Sequence, residues 1–359
     1  MALMRILQSQ VTSLTFNLYQ QQPSRTKSNF TKSMHPMKEW KSKGRGLKIS
    51  VVGSGQVGAA ICSCLLLRKV TQNLVIMDVK YNLAQAETLD LLHGSVLLGN
   101  PRIVACSDGS RTKDSDIVVM TAGARPSGKN RSRLDAMHGT MEIFKAAIPL
   151  LVKQSPNAIF VIVSNPVDVM TFAVQCLAKL PKHRCLTTGC HLDSLRFRYF
   201  IAERLNVPPA DVQAYVIGEH GVSAVPVWSS VCIGGIQLKD VIKELACGED
   251  PEKWWNFEEQ VTTAGASVGK VKGYTNWAIA ATCTDVVEAL TSDQGKILCV
   301  GTDMQGLHGI EHSVVLSLPC LVKSGGISHV FELPLTSAEQ EKLNASAESL
   351  IDAQCSLKF

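Results

Sequence analysis

No stretch of this 359-residue chain reaches the roughly eighteen consecutive apolar residues that a membrane-spanning helix requires. The longest apolar runs are strand-like and short, as at Ile49–Val52 and Ile159–Val163, so no membrane span is expected. There is no CxxC, and of twelve cysteines only Cys62 and Cys64 stand close together. That scatter points to free, mostly buried thiols in a reducing compartment rather than to a disulfide framework. Metal-ligand spacing is also missing. His35, His93, His138, His183, His308, His312 and His329 lie far apart or lack partner ligands, so no metal site is expected. His308 and His312, the nearest pair, read as ordinary surface residues.

Acid is what the N-terminus lacks: no Asp or Glu precedes Glu39. Eight of the 36 Lys and Arg, but one of the 31 Asp and Glu, fall in residues 1–46. The remainder holds 28 basic and 30 acidic residues, so the net charge of +5 belongs to the tail. The body is therefore no nucleic-acid binder by charge. Within the tail, Leu3, Leu7, Val11, Leu14 and Leu18 recur at helical spacing among serines, threonines and glutamines. A basic, amphipathic, acid-poor start has the composition of a mitochondrial presequence, and an assembly arm or a disordered tail fits it as well. The chain is thus expected in the cytoplasm or the mitochondrion.

Regular alternation begins at residue 47. Lys48–Val52, Leu74–Met77, Ile117–Thr121 and Ile159–Val163 read as strands, with helical patterns at Gly58–Leu67 and Met141–Val152. Strands alternating with helices predict an α/β fold with a Rossmann-type, doubly wound parallel sheet over 47–187. From 188 to 359 the pattern changes to a second, α/β domain. It has a helix at Ser194–Leu205, strand-like runs at Ala214–Ile217, Val225–Val227 and Ser313–Leu318, and a final helix opened by a capping box at Thr336 and Glu339.

Gly53-Ser54-Gly55-Gln56-Val57-Gly58 follows the first strand and opens the first helix, and Asp78 ends the next strand twenty residues on. In that context the glycines mark a dinucleotide site. Gly53 permits the turn, Gly55 lets a pyrophosphate approach the backbone, and Gly58 lets helix and sheet pack closely. The amide ends at Gln56 and Val57 belong to the helix start that would face the phosphates. Asp78 would accept bonds from ribose hydroxyls and repel a 2′-phosphate, so NAD is expected over NADP.

A second constellation suits proton transfer. His220, in Gly218-Glu219-His220-Gly221 after a strand-like run, has small neighbours and a ring that titrates near neutrality. Asp193 and Arg196 share a helix face, where Asp193 could orient the imidazole and Arg196 could grip a carboxylate. Spacing equally allows Asp193 as a helix cap and Arg196 as a surface ion pair.

These segments, with Val225-Pro226-Val227-Trp228, Lys272–Ile279, Ser164-Asn165-Pro166-Val167-Asp168 and Leu316–Cys320, resemble the lactate/malate dehydrogenase superfamily, closest to its animal L-lactate dehydrogenase branch. The resemblance covers residues 47–359. It implies His220 as proton donor and acceptor, Asp193 as its partner and Arg196 as carboxylate anchor. It further implies Asn165 at substrate and nicotinamide, Thr275 beside the substrate methyl, and Arg133 as the loop arginine that polarises the carbonyl. A homotetramer acting on a small 2-keto/2-hydroxy acid is implied as well.

The loop after Gly123 departs from that pattern. It holds one residue more than usual and lacks the substrate-selecting glutamine, with Pro126 or Ser127 near its place. Arg131, two before Arg133, competes for the catalytic position, and the Leu134 that follows favours Arg133. Arg125 and Lys129 read as facing solvent or cofactor phosphate. An inward Lys129 or Arg131 would instead add a second carboxylate site and turn selectivity toward malate. His191 stands where Asn is usual, and Val222 where an acid is usual. Three readings follow: an L-lactate dehydrogenase, a malate or broader 2-hydroxy-acid dehydrogenase, and a catalytically weak NAD-binding protein.

Overall fold

The computed structural model describes residues 46–124, 133–246 and 250–359, with the side chains of 133–135 left aside. The arm expected over 1–46, except its last residue, and the loop positions Arg125, Lys129 and Arg131 lie outside the described residues.

A single nine-stranded sheet carries the fold, in the order β14-β13-β12-β6-β5-β4-β1-β2-β3. Its parallel half is β1 (Lys48–Val52), β2 (Asn73–Met77), β3 (Arg102–Cys106), β4 (Ile117–Met120), β5 (Ile159–Ile162) and β6 (Cys185–Thr187). The inner strands β4 and β5 are buried at every residue, as continuous apolar runs covered by helices on both faces must be. Those helices are α1 (Gln56–Leu67), α2 (Tyr81–His93), α3 (Arg133–Gln154) and α4 (Val167–Ala178). The strand order reverses between β1 and β4, which opens a crevice at the C-terminal strand ends. Gly53, Asp78, Gly123 and Asn165 all follow strands at that edge.

The rest of the sheet is antiparallel. β12 (Lys296–Asp303), β13 (Val315–Lys323) and β14 (Gly326–Val330) add to the β6 edge, joined through the pair Gly301 and Thr187. A Cβ on Gly301 would meet the Thr187 methyl at 2.6 Å, so the seam needs a glycine. The run expected at Ser313–Leu318 is the first part of β13, and β12 and β14 were not foreseen.

Of the strand expected at Ala214–Ile217 only the second half forms, and a separate short strand precedes it. β7 (Val212–Gln213) joins a small sheet with β10 (Cys232–Ile233) and β11 (Ile236–Gln237), while β8 (Val216–Ile217) pairs with β9 (Val225–Pro226). Between them Tyr215 receives the Val227 amide through its carbonyl, which turns the chain from one partner to the other.

Helix α5 (His191–Leu205) follows, its inner face set by Phe197 and Ile201, both fully buried. Phe197 meets the Trp228 ring edge-on at 4.7 Å, and Trp228, Trp254 and Phe257 continue the aromatic packing. After the single turn α6 (Leu238–Val241) come α7 (Asn256–Lys272) and α8 (Trp277–Ala289). The chain closes with α9 (Ser337–Cys355), whose Thr336–Glu339 capping box forms as expected. Glu339 is buried, and its carboxylate also accepts the Ser229 amide and hydroxyl, at 3.0 and 2.7 Å.

Seven of the eleven described cysteines are buried and all eleven are free. His308 corrects the surface reading. It is half-buried at φ +48°, its Nε2 is shielded with no partner among the described residues, and its carbonyl accepts from Gln340 on α9. Among the described residues, no helix is long and apolar enough to cross a membrane, and no group of three or more His, Cys, Asp and Glu is arranged to hold a metal.

Candidate active site

Gly53 takes φ +101°, and a Cβ there would lie 2.6 Å from the Ala122 nitrogen. A Cβ on Gly58 would lie 1.9 Å from the Gly53 carbonyl oxygen. These two glycines therefore serve the fold: β1, the turn and α1 close up only without side chains. Gly55 differs, because nothing stands within 4 Å of the Cβ it lacks. It is the N-cap of α1, no side chain caps that end, and the first turn holds no acid. The amides of Gln56, Val57 and Gly58 thus form a bare helix terminus above an open cradle, the shape and charge that a pyrophosphate requires. Asp78 is fixed beside it. Its Oδ2 accepts the Ser54 amide at 2.8 Å and hydroxyl at 3.0 Å, and its Oδ1 accepts the Lys80 amide at 2.9 Å. These residues fit NAD.

The second cluster is held by α5. Asp193, buried in its first turn, divides its carboxylate between two basic side chains. Oδ2 lies 2.5 Å from His220 Nδ1, and Oδ1 accepts from an Arg196 guanidinium nitrogen at 2.8 Å. Cys190, not Asp193, is the N-cap of the helix. The Arg196 side chain is 19% exposed and that of His220 27%, so both lie within the wall of the site rather than on open surface. The local ion pair and the histidine partner are therefore one carboxylate serving both.

Electrostatics follow from that arrangement. Burial opposes the charged His220 ring, but the Asp193 carboxylate outweighs it, and with help from Asp168 the ring's pKa is held above its ordinary value. Burial likewise opposes the Asp193 carboxylate, yet His220 and then Arg196 hold it below the usual range. With Nδ1 committed to Asp193, Nε2 is the nitrogen left to exchange a proton.

Asn165 is exposed directly after β5, and Thr275 is half-buried between α7 and α8. Among the described residues neither hydrogen-bonds to the His220–Asp193–Arg196 cluster through its side chain. Arg133 opens α3, and its side chain lies outside the described residues, as does Arg125.

Two residues near the site went unassigned from sequence. Asp168 is buried in the first turn of α4 and accepts the His220 backbone amide at 2.8 Å through Oδ2. An acid in the apolar stretch Val167–Val174 was the available signal. His191, noted only as a departure, is buried and lies 2.9 Å from Asp285 of α8. Val222 is 81% exposed and takes no part in the cluster.

Two family models match this chain. Residues 47–187 match the lactate/malate dehydrogenase NAD binding domain, and residues 190–356 match the alpha/beta C-terminal domain of the same enzymes. The L-lactate dehydrogenase B chain of Sus scrofa is 42% identical over 311 residues, 87% of this chain and 93% of its own length. The B chain of Homo sapiens is 41% identical over the same span, and the L-lactate dehydrogenase of Petromyzon marinus is 42% identical over 312 residues. Those two alignments likewise cover 87% of this chain and 93% of each relative.

Proposed function

The chain belongs to the lactate/malate dehydrogenase family, and within it we propose an NAD-dependent L-lactate dehydrogenase that interconverts pyruvate and L-lactate. The observation that carries this reading is the ordered run His220–Asp193–Arg196, one carboxylate holding both a proton donor and a carboxylate anchor. Identity of about two-fifths to relatives named L-lactate dehydrogenase supports the same substrate pair.

Gly55, the α1 amides and Asp78 would hold NAD, which when bound supplies or accepts the hydride at the substrate's second carbon. Arg196 has one terminal nitrogen on Asp193, and its other lies near Gly265 of α7 with no hydrogen bond among the described residues, which leaves it for the pyruvate carboxylate. His220 gives the Nε2 proton to the ketone oxygen, and Asp193 stabilises the imidazolium beforehand and keeps the ring oriented afterwards. In the reverse direction neutral His220 takes the lactate hydroxyl proton. Asn165 at substrate and nicotinamide, Thr275 beside the methyl, Arg133 at the carbonyl and Arg125 at a cofactor phosphate are the remaining assignments. The division into an NAD domain over 47–187 and a substrate domain over 188–359 belongs to this reading. So do a homotetramer, and an N-terminal segment that acts as a mitochondrial presequence or an arm of a cytoplasmic enzyme.

The test is NADH oxidation by the purified chain offered pyruvate, oxaloacetate and a branched 2-keto acid in parallel, with H220N as control. Pyruvate turnover abolished by H220N is expected. Faster reduction of oxaloacetate at equal subsaturating concentration would move the reading to malate, and NADH binding without turnover of any substrate would end it.

A further inference from the structure

Asp168 is a buried acid with a visible contact and no role in the reaction described above. It is 2% exposed, Oδ2 accepts the His220 amide at 2.8 Å, and Oδ1 is shielded with no partner among the described residues. A neutral acceptor would satisfy one backbone amide at far lower cost of burial. What a carboxylate adds is charge beside the imidazole. The position is also particular. Asp168 stands in the first turn of α4, three residues after Asn165, whereas His220 follows β8. One short segment thus presents Asn165 at the strand ends and grips the histidine loop.

We infer that Asp168 is a second positioning carboxylate for His220, fixing the main chain of the proton donor from the cofactor side while Asp193 fixes its ring. This deepens the proposed dehydrogenase reaction and rests on it. Among the described residues, the charged groups around the imidazole are Asp168 from α4, Asp193 and Arg196 from α5, and Glu219 from the histidine's own loop. The thiols of Cys190 on α5's N-cap and Cys299 on β12 are pushed well above their ordinary value by burial and are neutral. Burial also pushes the Asp168 carboxyl up to about 7, Glu219 and Asp193 add to the rise, and His220 opposes it. Asp168 therefore gains its negative charge most readily when His220 is protonated. The two groups titrate as a coupled pair, with the carboxylate present in the state that holds the proton for the ketone.

D168N keeps an acceptor of the same shape and removes the charge, while D168A removes both. The His220 ring is followed by NMR titration in each, assigned with H220Q, alongside the pH dependence of pyruvate kcat/KM. In D168N the ring should titrate lower by about half a unit or more, with the kcat/KM limb shifted equally and kcat reduced less than about tenfold. D168A should show the same shift and lose a further roughly tenfold in kcat, because the His220 amide is left unpaired. A shift below about 0.1 unit in D168N overturns the inference. Should D168N not fold, infrared difference spectra of the unaltered chain decide. The protonated-carboxyl band should persist to higher pH in H220Q, which lacks the imidazolium that favours the carboxylate, and a band that titrates alike in both chains refutes the coupling. If the chain turns over no keto acid, the dehydrogenase reading fails, while the titration and the spectra still decide the role of Asp168.

Discussion

His191 and Asp285 meet across 94 residues of sequence, Nε2 to Oδ2 at 2.9 Å, and tie the first turn of α5 to α8. Asp285 also holds Lys296 at 2.7 Å, and Lys296 reaches Glu288 at 3.2 Å. The helix that presents Asp193 and Arg196 is therefore anchored through a partly buried polar chain.

That chain gives the protein an acid-sensitive brace. Burial opposes the Asp285 carboxylate, but His191 and Lys296 lower its pKa from 3.8 to about 2. A carboxyl depressed in the folded state stabilises it above the unfolded value and loses that contribution as pH falls from about 4 to about 2. D285N should cost on the order of 1–2 kcal/mol at pH 7, discounted for the quarter of the side chain that meets solvent. It should cost much less at pH 2. Denaturant unfolding at both pH values checks this, and an equal loss at each would show that packing rather than charge is responsible.

The raised pKa of His220 fixes the direction of a second effect. Pyruvate reduction needs the protonated ring, so its kcat/KM should fall as pH rises through the His220 value, which lies above the ordinary imidazole range, while lactate oxidation rises. D193N removes the main charge that supports the imidazolium. The reduction limb should move to lower pH, and kcat/KM should drop by roughly 10²–10⁴ at its best pH as ring orientation is also lost. Rate profiles across pH 5–9 decide it; an unmoved limb would assign the proton to another group.

What the sequence made legible was local. The glycine run with Asp78 lay within one βαβ unit, which spacing alone located, and Asp193 with Arg196 lay within one turn, where spacing put them on one helix face but left their roles open. The link from Asp193 to His220 came through resemblance, and the structure supplies its 2.5 Å contact. Asp168–His220 and His191–Asp285 span 52 and 94 residues, and no periodicity reports such pairs. The antiparallel edge was half seen: β13 is buried along its first six residues, whereas β12 begins with exposed Lys296 and Ile297, blurring its pattern. The break between β7 and β8 at Ala214–Tyr215 goes with the Tyr215–Val227 backbone bond, which hydropathy does not encode.

Two glycines of one motif should fail in different ways. Alanine at Gly58 meets the Gly53 carbonyl at 1.9 Å, and backbone must shift to admit it. G58A should lower the melting temperature by several degrees, a loss on the order of 2 kcal/mol or more. Alanine at Gly55 meets nothing within 4 Å at a φ of −69° that any residue adopts. G55A should melt as the unaltered chain does yet bind NADH at least about tenfold more weakly, since its methyl occupies the pyrophosphate's approach. Thermal melts with NADH fluorescence titration separate the two. Unchanged NADH affinity in G55A would mean that the phosphates lie elsewhere.

Arg196 carries the sharpest demand on side-chain shape. Its guanidinium bonds Asp193 with one terminal nitrogen while the other lies beside Gly265 of α7 with no hydrogen bond among the described residues, so one residue can pair with Asp193 and hold a substrate carboxylate at once. A lysine has a single point of charge and cannot do both with parallel bonds. R196K should raise the KM for pyruvate by about 10- to 100-fold, the loss of one to two charge-assisted bonds. NADH affinity should not change, because the cradle at Gly55 and the Asp78 carboxylate are built from other elements. Asp193, keeping a cation beside it, should still hold the His220 ring, so the pH limb of pyruvate reduction should move far less than in D193N. Steady-state kinetics over pyruvate concentration and pH test both parts. A KM near that of the unaltered chain would remove Arg196 as the anchor and shift that role to the loop cations.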